Sequence, residues 1–97
     1  MYNIEYTAVA VADLRYLKRH EQARVLDGID AQLRYQPTVE TRQRKRMRPN
    51  DIAEWELRIG EFRVLYTVDE AETRVAIQRI GEKTGNTFRF RGRETPL

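Results

Sequence analysis

Hydrophobic residues follow two different periods along this chain, and the change from one to the other divides it into elements. In YNIEYT, Tyr2, Ile4 and Tyr6 alternate with Asn3 and Glu5, the period of a half-buried strand. Thr7 then offers a helix cap. The run from Ala8 to Arg19 sets Ala10, Leu14 and Leu17 on one stripe, and Glu21 to Tyr35 repeats the device with Val25, Leu26, Ile29 and Leu33. Two amphipathic helices are predicted, joined near Arg19 and His20. Gly28 costs the second helix about 1 kcal/mol relative to alanine unless a packing contact compensates, and Pro37 stops it. Tyr16 and Tyr35 are expected to help cover the sheet.

From Pro37 to Asp51 no period holds, so the segment reads as a connector with a short extended piece around Met47. Period two then returns. Trp55, Leu57 and Ile59 alternate with Glu54, Glu56 and Arg58, and Phe62, Val64, Tyr66 and Val68 do the same after Gly60-Glu61, a pair suited to a two-residue hairpin turn. DEAET makes a second turn and RVAIQRI a further strand. The fold class is α+β: one N-terminal strand, a helical hairpin and an antiparallel β-meander, with the helices on one sheet face. Residues 1–97 form one domain, and 92–97 are expected to be a flexible tail.

The hairpin's register carries the first functional signal. If Ile59 pairs with Phe62, Arg58 faces Arg63 and Glu56 faces Leu65, while Trp55, Leu57, Val64 and Tyr66 turn to the helices. Arginines directly opposite one another cost a few tenths of a kcal/mol up to about 1. Either Glu56 offsets that repulsion as an internal ion pair, or the two guanidinium forks await a phosphate. Tyr66, placed in the core, needs a backbone partner for its hydroxyl.

Charge sharpens this choice. Residues 1–41 carry five Arg/Lys and six Asp/Glu, a net of −1, whereas residues 42–97 carry thirteen and nine, a net of +4. The basic excess centres on Arg42, Arg44, Lys45, Arg46 and Arg48, just before the hairpin, and points to a polyanionic partner. With 34% charged and 40% hydrophobic residues the chain still has the means to fold. It has no cysteine, which removes disulfides and thiol chemistry. No apolar stretch reaches membrane-span length, and the basic residues of the N-terminal segment follow the apolar ones, the reverse of a signal peptide; a cytoplasmic protein without a membrane partner is expected. The single histidine, His20, sits at the helix junction and reads as surface, and no metal-ligand spacing occurs. Asp13, Asp27 and Asp30 read as helix-surface charges.

Through WELRIGEFRVLY, with RKRMRPN ahead and IQRIGEKTGN behind, the chain resembles the RelE/ParE superfamily of bacterial toxins from toxin–antitoxin pairs, over nearly its whole length. The resemblance implies the RelE-like microbial RNase fold and a cognate antitoxin as partner, with operator DNA reached only indirectly through that antitoxin. RelE-like members cut messenger RNA in the ribosome; ParE-like members poison DNA gyrase. A third possibility is a catalytically degenerate member that only binds its antitoxin and tunes operator binding.

The RNase branch implies metal-free, cofactor-free chemistry: the ribose 2′-hydroxyl attacks the neighbouring phosphorus, so the site must take one proton, neutralise the phosphate and supply another proton to the 5′-oxygen. Arg63 falls at the family's phosphate-stabilising strand arginine, with Arg58 beside it, and Lys83 falls at a basic position after the last long strand. Arg42, Arg44, Lys45, Arg46 and Arg48 would grip mRNA or ribosomal RNA, helped by Phe88 and Arg89. The chain departs from the family in two places. Glu54 and Glu56 stand where lysines are common, so Glu56 becomes the candidate base. Phe88 and Phe90 stand where a tyrosine or histidine acid is common, and phenylalanine can stack on a base but cannot give a proton.

Overall fold

The structure, a computed structural model, describes all residues from Met1 to Leu97. Strand β1 (Asn3–Tyr6) leads to helices α1 (Ala8–Tyr16) and α2 (Arg19–Leu33), then β2 (Arg44–Arg46), β3 (Trp55–Ile59), β4 (Phe62–Asp69), β5 (Arg74–Thr84), β6 (Thr87–Phe90) and β7 (Arg93–Thr95). The strands form one seven-stranded sheet in the order β2-β3-β4-β5-β6-β7, and β1 joins it parallel to β5. Thus β5 is the central strand. One edge pairs with β4 along its length; the other pairs with β1 near its start and β6 near its end.

Helix α1 is shorter than its periodicity predicts because the chain turns extended at Leu17, and α2 keeps its expected length but starts and ends two residues earlier. Lys18 starts α2, and its backbone N–H donates to Glu21 Oε1 at 2.9 Å. Thr7 Oγ1 accepts from Ala10 N at 3.0 Å and caps α1. Along the helical stripe Ala10, Leu17, Val25, Ile29 and Leu33 pack on Trp55, Leu57, Phe62, Val64, Tyr66, Val75, Ile77 and Ile80. Gly28 is the close-approach point between layers: a Cβ there would lie 2.5 Å from Ile59 Cδ1, which explains a glycine inside a helix.

Three elements differ from the sequence expectation. Strand β5 runs four residues past Ile80, and β6 and β7 follow, so the expected tail folds back with Arg93–Thr95 paired to β6. Register slips between Leu65 and Tyr66, which leaves Gln78 as an extra residue on β5. That bulge lets both Ile77 and Ile80 point to the helical core and sends Arg79 to the other face beside Leu65. The far face is not bare: Ala53, Leu65 and Phe90 are buried there, with Ile52, Met47 and Phe88 packed around them. Tyr16 and Tyr35 remain 58% and 71% exposed rather than covering the sheet.

Tyr66 is completely buried, and its hydroxyl donates to the Pro37 carbonyl at 2.6 Å, tying the start of the connector to β4. Burial pushes its phenol well above the ordinary 10.0, against a smaller opposing pull from Arg44. Above about pH 10 the unfolded chain sheds this proton while the folded chain keeps it, so folding is stabilised below that pH and loses stability as pH rises. Melting temperatures taken from about pH 9 to about pH 11 should therefore fall more steeply for the wild type than for Tyr66→Phe. Some slope persists through Tyr6, whose phenol burial also pushes up.

Candidate functional site

The open face of the hairpin carries the expected register, with Arg58 opposite Arg63 and Glu56 opposite Leu65, and β2 adds Lys45 opposite Glu56. Glu56 is the centre of this group. It is only 5% exposed, and its Oε2 lies 3.5 Å from Arg58 Nε while Oε1 lies 3.3 Å from Arg63 Nε. The second contact is poorly aligned, so neither Oε1 nor Arg63 Nε has a hydrogen-bond partner. A buried carboxylate oxygen with spare acceptor capacity is uncommon and calls for an explanation.

The two arginines are not equivalent. Arg63, expected to offer an open fork, is pinned: Nη1 donates to the Gly60 carbonyl at 2.7 Å and to the Phe62 carbonyl at 2.9 Å, and its side chain is only 15% exposed. Its Nε is buried against Glu56, which leaves Nη2 for a ligand. Burial pulls its guanidinium below the ordinary range, with Arg58 adding to that pull and Glu56 and Glu61 opposing it. It nevertheless remains a cation at any physiological pH. Arg58, with a side chain 42% exposed and only Nε engaged, presents both terminal nitrogens.

Beside this group runs a groove of about 1070 Å³. Glu56 borders it; Met47, Arg48 and Pro49 form one wall, and Lys83 and Phe88 another. Lys83 and Phe88 are cross-strand partners on β5 and β6, and the Lys83 ammonium lies 5.0 Å from the centre of the Phe88 ring. The groove therefore offers a cation on an aromatic platform facing a basic loop. No group of three or more His, Cys, Asp or Glu side chains is placed to hold a metal ion.

The basic run divides between the two faces. Lys45 shares the open face with Glu56, Arg48 is exposed along the groove, and Arg42 is exposed without an ion-pair partner. Arg46, paired to Trp55, borders the groove but turns its exposed guanidinium to the opposite face from Glu56, 5.5 Å from the Trp55 ring centre. Arg44 corrects the expectation of an RNA contact. Paired to Leu57, it has core-facing parity, is 7% exposed, and donates to the Val39 carbonyl and to the carbonyl and Oε1 of Gln32, so it fastens the connector to α2. Arg89 also departs: it alternates away from Phe88 and pairs with Glu94 Oε1 at 2.9 Å.

The profile of the family described as ParE toxin of type II toxin-antitoxin system, parDE, matches residues 4–86. The chain belongs to this family. Its fold is that of the RelE/ParE superfamily, and solved structures show it. The RelBE2 toxin–antitoxin complex from Mycobacterium tuberculosis matches with 28% identity and a TM-score of 0.73, over 84% of this chain and 98% of that one. The RelE–RelB complex from Pyrococcus horikoshii OT3 matches with 21% identity and 0.68, over 87% and 96%. The isolated E. coli RelE toxin gives 15% and 0.69, over 87% and 86%. No curated protein sequence matches the chain. No helix is long and apolar enough to cross a membrane.

One residue of this toxin was misread from its sequence in a way that bears on the site. Asp13, expected on the helix surface, is 1% exposed, and its carboxylate accepts from Arg79 Nε and Nη2, Arg91 Nε and the Ile80 backbone N–H. The signal was present: position 13 lies three residues after Ala10 and four before Leu17, on the buried stripe.

The different holds on the two arginines predict different stabilities. Arg63→Ala removes the ionic partner of buried Glu56 and frees two carbonyls, which should cost about 1–3 kcal/mol in urea unfolding. Arg58→Ala, at an exposed position, should stay within about 0.5 kcal/mol of wild type. The reverse ranking would show that Arg58 holds Glu56 in place.

Proposed function

We propose that this toxin is a ribosome-dependent endoribonuclease that cuts mRNA at the Glu56 groove and is neutralised by a cognate antitoxin. The observation that carries the reading is the buried Glu56 carboxylate, whose Oε2 is held only by a long 3.5 Å contact to Arg58, set among Arg58, Arg63 and Lys45 beside a groove holding Lys83 and Phe88. Proton acceptor, phosphate clamp and stacking platform stand together there. The antitoxin follows from family membership and from the antitoxin-bound state of the relatives from M. tuberculosis and P. horikoshii.

The residues divide the work as follows. A scissile phosphate is gripped by the two terminal nitrogens of Arg58 and by Arg63 Nη2, oriented by its fixed Nη1. Drawing Arg58 toward the phosphate loosens its 3.5 Å contact and releases Glu56 Oε2 to accept the 2′-hydroxyl proton. The 2′-oxygen bonds to phosphorus, the 5′-oxygen leaves, and the Lys83 ammonium supplies its proton. Phe88 stacks on a nucleobase to fix the reacting strand, while Lys45, Arg46 and Arg48 contact the backbone. Catalysis thus rests on cation placement without a phenol or imidazole acid. That same lack is what favours the second reading, gyrase poisoning, which needs no acid or base.

Mapping of RNA 5′ ends after brief induction separates the two. Cuts inside translated codons are expected from the wild type and should fall at least about a hundredfold in Glu56→Gln, which removes the proton acceptor at nearly constant shape. Gyrase-linked DNA breaks with intact mRNA would instead establish the second reading.

A further inference from the structure

Buried Asp13 lies on a helix, outside the groove, and takes no part in the steps above. We propose that Asp13 and Arg79 are positioning residues that set the Phe88–Lys83 pair of the groove through Phe90; as a claim about how that pair works in cleavage, this rests on the RNase reading. Between its pairings with β1 and β6, β5 passes residues 78–80 with no strand on that edge. Asp13 fills the gap: Oδ2 accepts from Ile80 N at 3.1 Å and from Arg79 Nε at 2.8 Å, and Oδ1 accepts from Arg79 Nη2 at 3.1 Å and Arg91 Nε at 3.0 Å. Two donors from one guanidinium on one carboxylate fix the plane of the Arg79 head as well as its place.

That plane has a use beyond closing the gap. The Arg79 guanidinium carbon lies 4.2 Å from the centre of the Phe90 ring. Phe90 is held from beneath by Gly81, where a Cβ would come within 2.5 Å of its Cδ1, so only glycine lets the ring lie on β5. Phe90 stacks on Phe88 with centroids 6.2 Å apart and planes 10° apart. Phe88 in turn carries the Lys83 ammonium at 5.0 Å. A column therefore runs from a buried carboxylate on α1, through a fixed guanidinium and two rings, to the groove cation. An unsupported lysine head samples many rotamers, and misplacing a proton donor by about 1 Å can cost on the order of a hundredfold in rate.

Arg79→Lys tests the column because it keeps the charge beside Asp13 and loses the flat face beneath Phe90. The first measurement needs no RNA. In the free toxin, the Phe88 ring current should move the Lys83 ε-methylene protons upfield, with Phe88→Leu giving the ring-free value. Arg79→Lys, or Phe90→Leu should that variant not fold, is expected to carry the resonance at least about halfway to the ring-free value. An unmoved resonance in a folded variant overturns the proposal, since Asp13 and Arg79 would then only close the sheet. The second measurement is a double-mutant cycle on mRNA cleavage. Arg79→Lys should lower kcat about ten- to a hundredfold with KM little changed, and Phe88→Leu should cost markedly less in that background than alone. Additive losses would contradict the coupling. A wild type that cuts no RNA would sink the RNase reading alone, and the Lys83 resonance would still decide the positioning.

Discussion

The hairpin register brings Arg58 and Arg63 face to face, and the site depends on how Glu56 answers that repulsion. Two guanidinium groups on neighbouring strands repel, and the chain places a nearly buried carboxylate within 3.5 Å of both. The answer is incomplete: one contact is long, and the other fails to form a hydrogen bond. A well-satisfied buried ion pair would be a structural element and nothing more. Here the pairing has slack, and on the proposed RNase reading that slack is what a phosphate and a 2′-hydroxyl use.

Around that centre the fold separates rigid support from exposed chemistry. The helical layer buries one face of the sheet and fixes β3, β4 and β5; on the other face the connector brings Ala53, Ile52 and Met47 onto Leu65 and Phe90. This second, small core raises the walls of the groove on either side of Glu56. Arg44 fastens one side to α2 through Gln32, and Asp13 fastens the other to α1 through Arg79 and Arg91. Three of the chain's arginines, Arg44, Arg79 and Arg91, thus act as internal fasteners, while Lys45, Arg48 and Arg58 keep their cations free of such ties.

The strand–helix–helix order and the β3–β4 register were legible because each element there is long enough to show its period: alternation buried Trp55, and the two-residue Gly60-Glu61 turn set Ile59 opposite Phe62. Arg44 was not legible: β2 is three residues long, too short to display a period, and its parity is set by pairing with Leu57. The β5–β6 hairpin left a signal in Gly85-Asn86, a turn pair between Thr84 and Thr87, but the segment beyond it lacks the apolar weight of a core strand. Arg63 was placed correctly by register and misjudged in exposure, because its bonds to Gly60 and Phe62 are made by turn geometry that alternation does not encode.

The most direct measurement is an arginine side-chain nitrogen–proton spectrum recorded while the toxin is titrated with a short 2′-deoxy oligonucleotide that it cannot cut. If slack around Glu56 is the ligand site, the Nε resonances of Arg58 and Arg63 move together and saturate with one binding constant, and the Glu56 carboxyl carbon moves with them. Shifts confined to other arginines, with Arg58, Arg63 and Glu56 unmoved, would contradict the account.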